Sequence, residues 1–177
     1  MAEPAPGGKV ITFSLPQAET EAVPRRRGPR RPAAPQRPAD FAAYNAEDYR
    51  ELSAAPRRRA REVSLLLLYA AVSSGDWSAA PQILADTGLK GANADFARML
   101  AEQAYAALAD SDRLLQLYAR EWDIERFSSV DRNILRLALA ELMREGESQA
   151  VVIINEAIEL GKKFGSAESG AFVNGIL

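Results

Sequence analysis

Four arginines fall within five positions, Arg57, Arg58, Arg59 and Arg61, directly after Pro56. Proline suits the first position of a helix, where its missing N–H costs nothing, so these arginines open a helix. That is the unfavourable end for cations, because the helix dipole makes the N-terminus positive. At 100° per residue, Arg57, Arg58 and Arg61 share one side and Arg59 points elsewhere. Forked guanidinium donors beside the unpaired N–H groups of a first turn make a phosphate site. The alternative is a solvated charge run balanced by Glu62 and an acidic body, and helix physics alone leaves the two readings even. Tyr69 closes the leucine run of the same helix, as a half-buried core residue does. Glu156 and Glu159 are three apart on a helix face, a spacing that can hold a metal but more often marks a solvated or ion-paired face. Asn155, inside an apolar run, is expected to bond a neighbouring loop.

The chain contains no cysteine and no histidine. Disulfides and thiolate metal sites are excluded, and the commonest general base is missing. No P-loop, nucleophile-elbow or dinucleotide-binding glycine motif occurs. The expectation is a non-enzymatic, cytoplasmic protein without cofactor or metal. No stretch has the roughly 20 apolar residues that a membrane span takes, and the start lacks a secretory pattern. The net charge of -2 hides an asymmetry: residues 1–61 carry 12 basic and 7 acidic side chains, and residues 62–177 carry 10 and 17. A basic leading segment on an acidic body suggests a localised polyanion contact.

The elements that must position these groups are helical. Residues 1–40 hold eight of the ten prolines and a basic run of Arg25, Arg26, Arg27, Arg30, Arg31 and Arg37. With almost no apolar periodicity, residues 1–54 read as a disordered Pro/Arg-rich extension, either a solvated tail or an auxiliary polyanion contact. Within it, residues 41–54 can hold a helical turn that docks back. Residues 55–177 read as one all-α domain of about seven helices. The first runs from Pro56 to about Ser73, with Val63, Leu66, Leu67 and Ala70 as its stripe and Gly75 as its stop. A short helix lies around Ser78 to Asp86. Asn93 caps a long helix to about Ala109, and another spans Asp112 to about Glu121. Trp122 and Phe127 pin the next connection. Ser128 and Asp131 have capping-box spacing for a helix with Ile134, Leu135, Ala138, Leu142 and Met143 inside, ended by Gly146. In the helix from Val151 to Phe164, Val151, Ile154, Ile158 and Leu160 with Phe164 form the buried stripe, and Gly165 is expected to be a left-handed cap. Ser166 caps a last helix carrying Phe172 and Ile176.

Three blocks in this order, RRRAREVSLLLLY from Arg57, SVDRNILRLALAEL from Ser129, and NEAIELGKKFG followed by FVNGIL from Asn155, resemble the NusB family of transcription antitermination factors. The resemblance covers roughly the last two thirds of the chain and leaves the extension outside. It implies an all-helical RNA-binding domain that holds single-stranded boxA RNA of ribosomal RNA leaders. It also implies partnership with NusE, a small-subunit ribosomal protein, and with the elongating RNA polymerase complex. By the same resemblance Arg57, Arg58, Arg59 and Arg61 meet RNA, Tyr69 lies beside it, and Glu168 and Phe172 border it. Members often carry a basic residue before that phenylalanine, where this chain has Ala171, which implies a smaller C-terminal share of affinity. The outer face from Tyr105 to Tyr118 mixes acidic and apolar residues and suits a basic partner protein. The alternative functions are an RNA-binding or protein-interaction scaffold in ribosome biogenesis, and a homodimer whose arginine face is masked. RNA cytosine methyltransferases also carry NusB-like domains, but this chain has no room for their cofactor-binding domain.

Overall fold

The computed structural model describes residues 48–119 and 127–177. The expectations for residues 1–47 and for Trp122 lie outside these. Among the described residues there are seven α-helices and no strand. The all-α expectation holds.

Helix α1, Pro56–Ser74, is the axis of the domain. Every residue from Ala60 to Leu68 is buried, so this helix is enclosed rather than one-sided. Four consecutive leucines suit such a position, since no face needs to be polar. The hydroxyl of Ser64 is satisfied by donating to the carbonyl of Ala60 at 2.9 Å. Gly75, at φ 80°, ends the helix in the left-handed region, as its type predicts. Helix α2, Ala80–Asp86, is a surface helix of about two turns.

Helix α3, Gly91–Ala106, lies along α1 and buries Phe96, Ala97, Leu100, Ala101 and Ala104. It starts two residues before Asn93, which is therefore inside the first turn and not its cap. The break expected between Ala109 and Asp112 comes earlier, at Ala107, and α4, Leu108–Tyr118, follows at once. No glycine or proline announces that break. What turns α4 onto the next helix is distant: Arg136 donates to both carboxylate oxygens of Asp112, at 2.8 and 2.6 Å.

Helix α5, Ser129–Glu145, opens as expected, with Ser128 Oγ accepting the Asp131 N–H at 3.0 Å. Met143 is exposed, against expectation, while Leu137 and Ala140 are buried. A short 3-10 turn, Glu147–Gln149, leads to α6, Ala150–Phe164, and α7, Ser169–Ile176. The buried face of α6 is Ile153, Ala157, Leu160 and Gly161. Val151, expected inside, is 73% exposed, because a run of four apolar residues does not by itself choose a face. Gly165 is extended at φ -94°, not left-handed. It is needed for closeness: a Cβ there would overlap the Ser169 side chain and come within 2.7 Å of the Gly161 carbonyl. Ser166 is not the cap of α7, which starts after Glu168 without a side-chain cap; the Ser166 N–H instead donates to Ser169 Oγ at 2.8 Å.

Ahead of α1, a 3-10 turn at Asp48–Glu51 docks on the body, and Tyr49 and Leu52 join the core. No helix among the described residues is long and apolar enough to cross a membrane.

Candidate nucleic-acid interface

The four arginines share a sequence run but have four different environments. Arg61 is buried, and its guanidinium donates to both oxygens of Glu141 on α5, at 2.7 to 3.2 Å. Arg59 spends its donors on carbonyls, those of Tyr49, Leu52 and Thr87, at 3.3, 3.4 and 2.8 Å. It thereby ties the docked turn and the end of α2 to α1. Arg58 grips Glu156 of α6 with a two-point fork at 3.1 and 2.8 Å, and Glu159 stands 3.9 Å away. The hydrogen bonds it donates to Glu156, then the charge of that carboxylate, raise the Arg58 pKa above its ordinary value. The Arg58 side chain still remains 41% exposed.

Arg57 differs from the other three. Among the described residues it meets neither a carboxylate nor a carbonyl, and its guanidinium lies 3.3 Å over the ring of Phe96. Burial over that ring, then the charge of Arg61, lower its pKa. No side chain caps this end of α1, and no acidic residue occupies its first turn. An exposed cation without an anion at an uncapped helix start favours anions.

The opposite flank of Arg58 is mixed in charge. A groove of about 250 Å³ opens there, lined by Arg58 and Lys163 but also by Glu62, Glu156 and Glu159. Lys163 is engaged with Glu62 at 2.9 Å and with the Glu51 carbonyl at 2.8 Å. Lys162 donates to Glu159 at 2.7 Å, which holds that carboxyl below its ordinary pKa. The pair Glu156 and Glu159 is thus an ion-paired face, as one of the two sequence readings had it. Asn155 is exposed. The side of the helix start whose cation is held by no carboxylate among the described residues is the Arg57 side.

The remaining site expectations are spread out. Tyr69 is half-buried against the core. Phe172 is buried, edge-on to Phe127 with centroids 4.8 Å apart. Glu168 is exposed and sits at the start of α7. Tyr105 lies at the far end of α1, donating to the Gly75 carbonyl at 3.0 Å and meeting Trp77 edge-on. Tyr118 is 71% exposed on α4. The sequence did not show Glu141, Glu156 or Phe96 as partners of the arginines. Each comes from another helix, and only the acid pair on α6 left a signal.

Residues 58–177 match the profile of the NusB family. The chain belongs to that family. The transcription antitermination protein NusB of Syntrophomonas wolfei is 39% identical over 123 residues, 68% of this chain and 92% of that one. Its counterpart in Sorangium cellulosum is 38% identical over 125 residues, 68% of this chain and 88% of that one. Among solved structures, a NusB of T. maritima superposes with a TM-score of 0.60 at 36% identity, over 69% of this chain and 87% of that one. Antitermination factors NusB and NusE in complex with dsRNA give a TM-score of 0.62 at 24% identity, over 70% and 94%, which speaks for the fold. The NusB match begins inside the arginine run. The docked turn at Asp48–Glu51 therefore precedes the matched part.

Proposed function

We propose that this chain is a cytoplasmic transcription antitermination factor without catalytic activity. It binds boxA RNA of ribosomal RNA leaders, pairs with NusE, and joins the elongating RNA polymerase complex. The observation that carries the RNA site is Arg57, stacked on Phe96 and without a carboxylate, beside the half-exposed Arg58 at an uncapped helix start.

In this reading Arg57 and Arg58 hold backbone phosphates. Arg59 and Arg61 act behind them, fixing the helix start on the docked turn and on α5. Tyr69, Glu168 and Phe172 border the RNA; of these Glu168 is the exposed one, suited to accept base-edge donors. Phe172 supports the border from inside the core. The Tyr105 to Tyr118 face takes NusE.

Fluorescence anisotropy of labelled boxA RNA against a scrambled RNA, with and without NusE, tests this. Preference for boxA that NusE strengthens and Arg58→Ala weakens is the expected result. Equal binding to both RNAs with a steep salt slope would reduce the protein to a polyanion binder. Absence of binding even with NusE would favour the scaffold reading.

A further inference from the structure

Phe96 is not used by Arg57 alone. The ring lies beneath three guanidinium groups from two helices: Arg57 at 3.3 Å, Arg144 at 5.6 Å and Arg61 at 5.8 Å from its centroid. Arg61 is buried and fully engaged with Glu141. Arg57 and Arg144 are the two that reach solvent. Like charges are not brought side by side without a cost, so their placement calls for a reason. Two carboxylates stand nearby. Glu141 is held by Arg61, and Glu145 meets Arg144 at 2.8 Å in a partly exposed pair. That leaves one positive charge in excess, on Arg57. Arg144 is also oriented: it donates to the sulfur of Met99 on α3 at 3.1 Å, which steadies its fork beside the ring.

We propose that Arg144 and Arg57, seated on Phe96, form a second phosphate-binding position on the RNA face, and that Arg144 touches RNA directly. This rests on the RNA-binding reading above and extends the face from α1 across α3 to the end of α5. The ligand is a backbone phosphate of single-stranded RNA. Two guanidiniums flanking one aromatic ring offer forked donors to the phosphate oxygens, and the ring keeps both planes in place. The Arg57 pKa is lowered by burial and by Arg61 and Arg144, against the raising effect of Glu141 and Glu145. An incoming anion relieves that crowding. The Glu145 pair is no obstacle, since an exposed pair of this kind contributes little and a phosphate can replace it.

The bland alternative is that Arg144 serves only the C-terminal dipole of α5 and its neighbour Glu145. Salt dependence separates the two. Each phosphate of single-stranded RNA that a side chain neutralises adds about 0.7 to the steepness of log K against log salt, so removing that side chain makes the plot shallower by the same amount. The experiment uses the full-length chain with single-stranded boxA RNA at several salt concentrations. It compares wild type with Arg144→Ala, Arg144→Lys, Arg58→Ala, and Arg98→Ala, an exposed arginine paired with Asp95 and Glu102 on α3. Thermal midpoints are recorded alongside. Arg144→Ala is expected to weaken binding about 3- to 10-fold at ~0.1 M salt and to make the slope shallower by about one phosphate's worth. Arg144→Lys keeps the slope, and Arg98→Ala changes neither. An Arg144→Ala slope equal to that of Arg98→Ala overturns the proposal, whatever the thermal midpoint does. If Arg58→Ala still weakens binding in that case, the RNA-binding reading itself stands. If wild type fails to bind the RNA, both fall together.

Discussion

Arg61 and Arg57 are four residues apart and have opposite duties. Arg61 and Glu141 are both buried and bonded through two points, so each neutralises the other where water cannot. Removing one partner strands a buried charge, which typically costs about 3–5 kcal/mol. Arg61→Ala is therefore expected to lower chemical-denaturation stability by that order, whereas Arg57→Ala, on the surface, costs less than about 1 kcal/mol. If both variants prove equally stable, the division between structural and RNA-facing arginines is wrong. The run of four arginines was visible in the sequence, and so was the separation of Arg59 from the others. Their roles were not, because the deciding carboxylates sit 80 and 98 positions away. Helix periodicity says which residues share a side, not what stands opposite.

Among the elements, boundaries set by local chemistry were legible and those set by tertiary packing were not. Pro56, Gly75, Gly146 and the Ser128 cap all act as their types predict, since a missing N–H, a left-handed φ or a capping hydroxyl is a local property. The position of the α3–α4 break, a few residues before the expected one, and the buried face of α6 depend on distant partners. Gly165 lies between these cases: a glycine was expected, but for its φ rather than for the space beside Ser169. Gly165→Ala should then destabilise by overpacking, on the order of 1–3 kcal/mol, as α7 is pushed from α6. A thermal midpoint equal to wild type would remove that account. The docked turn gives a second test. A chain beginning at residue 55 loses Tyr49 and Leu52 from the core. It also strips Glu62 of the Ser53 N–H, a bond of 2.7 Å. Burying one leucine-sized side chain is worth about 1.5–3 kcal/mol. The chain from residue 55 should thus melt measurably below one from residue 48, and equal midpoints would mean that the turn adds nothing. This bears on the proposed division of the chain at residue 54, since the domain's core draws on residues ahead of it.

At the scale of the whole molecule, α1 holds apart the two faces proposed for RNA and for NusE. Its 19 residues span about 28 Å. The arginines stand at one end, and the other end is closed by Gly75, Trp77 and Tyr105. If RNA takes the first end and NusE the face from Tyr105 to Tyr118, the two partners do not compete for the same side chains. Their cooperation then comes from RNA meeting both proteins at once, which raises effective concentration without any change of shape here. Tyr118 is the residue on which to test this, being far more exposed than Tyr105 and so a rigid aromatic able to anchor a partner. Tyr118→Ala should weaken NusE binding at least tenfold in titration calorimetry, within the ~2 kcal/mol typical of an interface anchor. Binding of boxA RNA by the variant alone should match wild type, and the gain from adding NusE should shrink. Loss of RNA binding in the absence of NusE would show that the two ends are not separate, and undiminished NusE binding would move the partner face elsewhere on the domain.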